Sequence, residues 1–407
     1  MNATWKKNTA LFLISQTVSV LGSSLVMYAI MWHITRVTES GLMLTLYIIC
    51  SHLPTFFISP FGGVWADRFN RKYQAAIADS SIAIATLVLA VVFLLGYREI
   101  WLLLVISVVR ALGSGVQSPC ISAILPQLVP EDKLTRVNGI KTSLQSFMLL
   151  VSPALAGVLY GVAPLEYIFF IDVITAAIAV PILLSIHLPA QTKKETQAKG
   201  YFGDLRLGLQ YIRSHHFVRT FIVFFAVFQI LVVPVALLTP LQVTRSFGTD
   251  KWLLPAMEIA FSGGMVLGGL GISAWGGFKN RAYSMIVAGL VLGLLTAALG
   301  FVPLFSVYLG IMVLMGLLIP LFNVPATVLL QEKVEADYMG RVFSVLDMIG
   351  SLTLTVGMLL FGLMSDAVRI EWLLVITGIL MAAEALLLRR SRAVMEAGKP
   401  VLAEKQT

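Results

Sequence analysis

The stretch Gly62-Gly-Val-Trp-Ala-Asp-Arg-Phe-Asn-Arg-Lys72 decides the fold, because it is a short charged turn between two long apolar runs. The runs cover about residues 43–65 and 74–96, and each is long enough to cross a bilayer as a helix. Charged side chains are costly in lipid, so the turn must lie in water at one membrane face. The stretch therefore predicts a pair of membrane-spanning helices.

The composition of the whole chain excludes a soluble globular protein. Hydrophobic residues make up 58% and charged residues 12% of the 407 residues, and the mean hydropathy is +0.89. The net charge of +8 comes from Lys and Arg in short clusters between apolar runs. That distribution is typical of membrane insertion rather than of nucleic-acid binding. Cys50 and Cys120 lie inside apolar runs and are interpreted as unpaired core residues.

Twelve apolar runs predict an all-α membrane protein with twelve transmembrane helices. Lys6 and Lys7 precede the first run, which is too long for a signal peptide and is interpreted as a retained helix. Most of the 29 Lys and Arg fall on the side of the amino terminus, so both termini are expected in the cytoplasm. The predicted spans are residues 9–34, 43–65, 74–96, 100–125, 139–162, 166–187, 217–243, 253–275, 282–302, 304–328, 342–365 and 371–389.

An internal repeat divides the spans into two pseudo-symmetric six-helix bundles. At an offset of 210, Trp65, Asn70, Arg71 and Tyr73 recur as Trp275, Asn280, Arg281 and Tyr283. At an offset of 205, Val129, Asp132, Arg136, Val137 and Gly157 recur as Val334, Asp337, Arg341, Val342 and Gly362. We expect bundles at 1–187 and 217–389, a cytoplasmic linker at 188–216 with an amphipathic helix at about 203–216, and a cytoplasmic tail at 390–407. The substrate path is expected between the halves.

The charged turn resembles the signature of the major facilitator superfamily, the loop between the second and third transmembrane helices. The residues that match are Gly63, Asp67, Arg68, Arg71 and Lys72. The resemblance implies the major facilitator fold and a secondary transporter, not an enzyme. It also implies that these residues form a conformational latch that holds the two halves together at the inner face. The alternative is that the charges only fix the topology.

Two positions of this turn depart from the pattern. Asn70 stands where a glycine is usual, and it is interpreted as a residue that tolerates the left-handed backbone. In the second copy, Gly277 stands where the first copy has Asp67. Any latch is therefore expected to be one-sided.

Five charged residues inside predicted spans are candidates for coupling transport to protons, since a charge in lipid should face the bundle interior or a cavity. Arg110 resembles the arginine of the family's second motif, and its expected partners are Asp67 and Asp79. The alternative is a structural ion pair without a role in transport. The candidates are Asp79, Arg110, Asp172, Glu258 and Asp347.

The fifth span contains a sequence that resembles the exporter motif Gly-Pro-x-x-Gly-Gly, with Ser152, Pro153, Ala156 and Gly157 at its matching positions. Small residues permit close helix approach. The resemblance implies a bias towards export, and the alternative is ordinary packing of small residues. Polar uncharged and methionine side chains predict a cavity for a bulky amphipathic substrate. These cavity residues are Gln16, Ser19, Ser23, Met27, Gln145, Met148 and Gln229.

Stretches at 143–146, 151–154, 171–173, 258–269 and 331–344 resemble the macrolide-efflux branch of the superfamily. The resemblance implies a drug:proton antiporter of the bacterial cytoplasmic (inner) membrane that exports a macrolide-like molecule by rocking its halves. We expect a monomer to function alone, because one chain contains both halves. Export of an endogenous siderophore or metabolite stays open, as does a non-transporting membrane sensor. The sequence has no phosphate-binding loop and no metal-spaced His/Cys cluster, so we expect no cofactor, no metal and the proton gradient as energy source. The expected partners are the lipid bilayer, the substrate and protons, with no nucleic acid.

Overall fold

The structure is a computed structural model that describes residues 4–187 and 209–399. These ranges are almost entirely helical and contain no strand. In the first half the helices are α1 (Thr4–Thr38), α2 (Gly41–Arg68), α3 (Arg71–Leu94), α4 (Ile100–Leu128), α5 (Glu131–Val162) and α6 (Leu165–Ser185). In the second half they are α7 (His216–Leu237), α8 (Thr239–Phe247), α9 (Leu253–Trp275), α10 (Arg281–Leu299), α11 (Phe305–Lys333), α12 (Ala336–Ala367), α13 (Ile370–Arg390) and α14 (Arg392–Ala397). Residues 209–214 are also helical.

Within the described ranges, twelve spans are long and apolar enough to cross a membrane, with α7 and α8 together forming one of them. The predicted all-α membrane fold with twelve transmembrane helices is therefore confirmed. Large apolar side chains point outward on these spans, and Phe57, Ile77 and Leu387 are 63%, 67% and 61% exposed. Such side chains are stable only if lipid solvates them.

The helices group into two compact units. The first unit contains α1–α6 and the segment Gly248–Ile259, and the second contains α7, α8, the rest of α9 and α10–α14. In the first unit α1 packs against α5 and α6, and α3 packs against α4 and α6. In the second unit α7 packs against α12 and α13, and α10 packs against α11 and α13. The same pairs of spans thus meet in both units, as the sequence repeat implies. Of the predicted amphipathic helix at 203–216, residues 203–208 lie outside the described residues and residues 209–214 are helical. The end of the tail, residues 400–407, also lies outside the described residues.

The seventh span was predicted as one helix over 217–243, and this prediction is wrong in detail. The span breaks at Leu238, which separates α7 from α8. Pro240 lies just after the break, and a proline has no N–H to donate to the preceding turn. Helical hydrogen bonds continue on both sides of the break, since the Leu238 N–H donates to the Pro234 carbonyl and the Gln242 N–H to the Leu238 carbonyl, both at 2.8 Å.

The turn between α2 and α3 is closed by ordinary helix caps. The Phe69 N–H donates to the Trp65 carbonyl at 2.8 Å, which ends α2. Asn70 has φ −68° and ψ 110°, and its side chain accepts from the Lys72 N–H at 3.1 Å. The interpretation of Asn70 as a left-handed residue is therefore wrong, because it is the N-cap of α3, a position that asparagine favours. Asn280 caps α10 in the same way.

The second copy of this turn has a different backbone. Helix α9 ends at Trp275, and Gly276 and Gly277 follow it with φ of +77° and +80°. In the first copy α2 runs on to Arg68. A residue with a side chain is strained at such positive φ. The second copy therefore requires glycine at the position that corresponds to Asp67.

Candidate functional site

Helix α4 is held close to two neighbours by a pair of glycines. A Cβ on Gly113 would lie 2.5 Å from the Ile82 side chain of α3. A Cβ on Gly115 would lie 3.0 Å from the Thr55 carbonyl of α2. The two glycines thus allow close packing on opposite faces of α4. They bring Arg110, one turn earlier, into the interior of the first unit.

Arg110 and Asp172 form a buried ion pair between α4 and α6. They are 9% and 2% exposed. The Arg110 Nη1 donates to Asp172 Oδ2 and to Thr86 Oγ1, and Nη2 donates to the Ser23 carbonyl at 3.3 Å. A buried ion pair needs such extra hydrogen bonds to offset the loss of hydration.

Asp172 is also held by α1 and α3. Its Oδ1 accepts from Ser23 Oγ at 3.2 Å, and its Oδ2 accepts from Thr86 Oγ1 at 3.0 Å. Gly22 allows this arrangement because a Cβ there would lie 3.1 Å from the Asp172 Cα. Four helices of the first unit therefore converge on one carboxylate.

The predicted partner of Arg110 was Asp67 or Asp79, and Asp79 is the wrong partner. Asp79 is 4% exposed, and its Oδ1 accepts from Ser19 Oγ at 2.9 Å. Gln117 lies beside it, and both Asp172 and Arg110 are within electrostatic range. Asp79 thus has hydroxyl and amide neighbours and no ion-pair partner in the described part of the chain. The Asp67 side chain lies outside the described residues.

Two adjoining cavities of about 220 and 230 Å³ lie beside this network, in the first unit. Val20, Ser114 and Gln117 border both. The first is also lined by Ser19, Ser23, Ser24, Met27, Ile30, Tyr47, Ser51, Ser107, Arg110 and Ala111. The second is also lined by Leu13, Gln16, Thr17, Ser118, Ile121, Ser122, Lys141, Leu144, Gln145 and Met148.

The structure places six of the seven predicted cavity residues on these walls. Ser19, Ser23 and Met27 line the first cavity, and Gln16, Gln145 and Met148 line the second. Gln229 lies on α7 in the second unit. The sequence interpretation missed the serines of α4, namely Ser107, Ser114, Ser118 and Ser122. Together with Arg110 these serines follow one another at steps of three or four residues, and that pattern is the signal that would have found them.

The predicted export motif lies in α5, and its small residues are packed. Ser152 is 1% and Ala156 0% exposed. A Cβ on Gly157 would lie 3.0 Å from Pro255, in the segment that groups with the first unit, and 3.4 Å from the Trp32 ring. The position after Ser152 is Pro153, inside the helix. Close approach of α5 to its neighbours therefore depends on these residues.

The predicted latch residues make different contacts. Arg71 donates to the Ala66 carbonyl at 2.9 Å and to the Ala123 carbonyl at 3.2 Å. Lys72 Nζ donates to the Leu184 and Ile186 carbonyls at the end of α6, at 3.0 and 3.1 Å. Arg68 is exposed. A Cβ on Gly63 would meet nothing within 4 Å.

The other predicted coupling residues are apart from this network. Glu258 lies on α9 and is half-buried. Asp347 lies on α12, and its side chain is outside the described residues. Within the described ranges, no group of three or more His, Cys, Asp or Glu side chains is placed to hold a metal ion.

Comparisons with known proteins place these features in context. The family model described as "Major Facilitator Superfamily" matches residues 11–357. Macrolide efflux protein A of Streptococcus pyogenes is 28% identical, over 94% of this chain and 95% of its own length. The staphyloferrin A transporter of Staphylococcus aureus is 26% identical over 51% of this chain and 52% of its own. A crystal structure of a bacterial homologue of the human lysosomal transporter Spinster, inward-facing and unoccupied, superposes with a TM-score of 0.70 and 14% identity, covering 99% of this chain and 100% of that one.

Proposed function

The chain belongs to the major facilitator superfamily, and from that premise we propose that it exports a bulky amphipathic molecule, such as a macrolide, in exchange for protons. The observation that carries the proposal is a polar cavity among membrane-spanning helices, bordered by a buried ion pair. The similarity to macrolide efflux protein A over nearly the whole chain supports export as the direction. Rocking of the two halves would expose the cavity to each side in turn.

The cavity walls suit a ligand that combines oxygen atoms with an apolar body. Serine hydroxyls and the amides of Gln16, Gln117 and Gln145 offer hydrogen bonds without charge. Met27 and Met148 offer flexible apolar contact, which adapts to irregular shapes. Ligand pockets usually combine apolar walls with a few placed polar groups in this way.

Asp79 is the carboxyl that we assign to the proton. The charges of Arg110 and Asp172 neutralise each other, so an ionised Asp79 would leave an uncompensated negative charge in the membrane interior. A proton removes that charge while the site is dry. When the cavity opens to water, the carboxylate is solvated and the proton can leave. Binding and release of one proton at Asp79 would therefore alternate with the opening of the cavity.

Replacement of Asp79 by asparagine tests the proposal. We expect the unmodified protein to lower accumulation of radiolabelled erythromycin in pump-deficient cells, and a protonophore to abolish that effect. Asp79→Asn keeps the shape and the Ser19 contact but cannot release a proton, so accumulation should rise to the level of cells without the protein.

The matched control is Asp250→Asn, since Asp250 is an exposed loop residue whose Oδ1 caps the Trp252 N–H at 3.1 Å. It should export normally. Export by Asp79→Asn at the normal rate would exclude Asp79 as the proton carrier. Unchanged accumulation with the unmodified protein verified in the membrane would exclude erythromycin as a substrate.

Export of an endogenous siderophore or metabolite is the second candidate function. Lys141 lines the second cavity and has no carboxylate partner in the described ranges, so it favours a ligand that carries a carboxylate. The similarity to the staphyloferrin A transporter over half of the chain supports the same class. A carboxylate-bearing metabolite that competes with erythromycin for export only while Lys141 is intact would favour this candidate.

We place the protein in the bacterial cytoplasmic (inner) membrane, with both termini in the cytoplasm. The concentration of Lys and Arg on the side of the amino terminus supports this orientation. A monomer suffices for transport, since one chain contains both halves.

A further inference from the structure

Among the described residues, three hydrogen-bond donors are buried without an acceptor near the carboxyl-terminal ends of α1 and α5. They are Trp32 Nε1, Arg36 Nη1 and Tyr160 OH, and we refer to them as the donor cluster. Trp32 is 0% and Tyr160 5% exposed. Buried Trp and Tyr side chains usually find a hydrogen-bond partner, and an unsatisfied buried donor destabilises a fold. Three such donors in one place therefore indicate an absent acceptor.

The Trp32 and Arg36 side chains each lie against the Tyr160 ring. The Trp32 and Tyr160 ring centroids are 6.0 Å apart, and the Arg36 guanidinium carbon lies 5.4 Å from the Tyr160 ring centroid. Gly157, one turn before Tyr160, lets the Trp32 ring approach α5. One charged and two neutral donors thus meet within a small volume.

The part of the chain that the structure describes supplies no acceptor for these donors. Glu166 is the buried carboxylate at this end of the first unit, and it is ion-paired with Arg98. Glu258 interacts electrostatically with Tyr28, whose ring lies 5.7 Å from that of Trp32, but it makes no hydrogen bond to the donor cluster. Arg36 is therefore a half-buried cation without a carboxylate partner in the described part of the chain.

The donor cluster continues the polar faces of the cavities. On α1, Ser24, Tyr28, Trp32 and Arg36 follow one another at steps of four residues, which places them on one helix face. Ser24 lines the first cavity. On α5, Met148, which lines the second cavity, is followed at the same steps by Ser152, Ala156 and Tyr160. Ser152 Oγ is buried without a partner too. Since α1 packs against α5, the two faces connect the cavity walls with the donor cluster along the interface of these helices.

We propose that the donor cluster is a second ligand subsite, which binds a carboxylate or carbonyl oxygen of the transported molecule after it leaves the cavities. The proposal rests on the proposed function, because it assigns the subsite to the transported molecule. Two neutral donors and a guanidinium suit an oxygen acceptor, and most strongly an anionic one. The positive charge of Arg36 opposes an ammonium group at the same place. A small inorganic anion such as chloride has the same chemistry and is the other source that must be distinguished.

Equilibrium binding to the purified full-length protein in nanodiscs tests the subsite. The probes are erythromycin, which has a lactone carbonyl, and fusidate, which is an amphipathic carboxylate. Tyr160→Phe removes one hydroxyl and should weaken binding of both probes about five- to tenfold. Arg36→Gln should weaken binding of fusidate more than that of erythromycin. Tyr167→Phe is the matched control, because Tyr167 is 59% exposed near the start of α6, and it should bind both probes normally.

Thermal unfolding separates this role from a structural one. Because the Tyr160 hydroxyl has no partner, Tyr160→Phe should leave the Tm unchanged or raise it, while probe binding weakens. A lower Tm with unchanged binding would make the hydroxyl structural and overturn the subsite. If replacing chloride by gluconate changes the Tm of the unmodified protein but not of Arg36→Gln, while probe affinities stay equal, the occupant is an inorganic anion and the ligand subsite is overturned.

These outcomes are distinct from a failure of the proposed function, since binding needs no proton gradient. Probe binding that depends on Tyr160, without proton-driven export from cells, would retain the subsite and overturn the antiport. Export that is normal in Tyr160→Phe and Arg36→Gln, with normal probe affinity, would overturn the subsite alone. Binding of neither probe by the unmodified protein would overturn both.

Discussion

Two adjacent glycines of the signature stretch have different physical roles. A Cβ on Gly62 would lie 2.8 Å from the Gly115 carbonyl and 3.0 Å from the Val116 Cα, so Gly62 is needed where α2 packs along α4. Gly63, the residue that matches the family signature, has free space around it in the structure. The demand for glycine at position 63 therefore does not come from packing in the conformation described.

Alanine at each glycine tests this separation. Gly62→Ala forces two backbones apart and should lower the free energy of unfolding by about 1–3 kcal/mol. Gly63→Ala removes a flexible residue from a helix interior and should raise it by about 0.5–1 kcal/mol. Thermal unfolding in detergent measures both. Equal destabilisation by the two substitutions would contradict the assignment.

The turn between α2 and α3 illustrates what a sequence reveals about an element. The turn itself is predicted because charged residues between two apolar runs are costly in lipid and must lie at a membrane face. Its caps and contacts cannot be predicted from the sequence, because an asparagine such as Asn70 is favourable both as an N-cap and in a left-handed turn. The partner of Arg110 could not be predicted either, since Asp79 and Asp172 both lie inside spans. The close approach of α1 to α6 at Gly22 places Asp172 beside Arg110. Pro240 predicts that the helix is disturbed near Leu238. The sequence does not show whether the helix bends or breaks there, because that depends on the surrounding helices.

The basic residues of the same turn have separate tasks. Lys72 binds the last carbonyls of α6, where a cation interacts favourably with the helix dipole. We expect Lys72→Met to lower the free energy of unfolding by about 1 kcal/mol. Arg68 is exposed, so Arg68→Gln should leave the Tm unchanged and, if Arg68 acts in the latch, reduce erythromycin export. A fall in Tm with Arg68→Gln equal to that of Lys72→Met would show that both residues only stabilise the fold.

At the scale of the whole molecule, the two units repeat one packing plan with different chemistry. The close approach of α2 to α4 at Gly62 and Gly115 has its counterpart between α9 and α11, where a Cβ on Gly268 would lie 2.8 Å from the Leu317 Cα. The Arg110–Asp172 pair lies in the first unit. Ion pairs of the second unit, Arg245 with Asp366 and Arg281 with Glu332, are partly exposed at helix ends. The repeat therefore preserves geometry, while the buried pair belongs to the first copy.

The proposed orientation is testable because the chain has only two cysteines. In a variant with both replaced by alanine, Tyr97→Cys in the α3–α4 loop and Phe69→Cys in the α2–α3 turn place one thiol on each side of the membrane. The native side chains are 68% and 62% exposed. A membrane-impermeant maleimide should label Cys at 97, but not at 69, in spheroplasts, and both in opened membranes. Labelling at 69 alone would invert the topology.

The left-handed glycines after α9 make the difference between the two halves hard to reverse. Gly277→Asp would give the second copy the aspartate that the first copy has. At φ +80°, however, the new residue would strain the backbone. Recovering a symmetric pair of carboxylates would also require α9 to be extended by a turn, a change that no single codon supplies. If the charged turn acts as the predicted latch, a single substitution can change its carboxylate only in the amino-terminal copy. The difference between the two copies is therefore difficult to reverse by single substitutions.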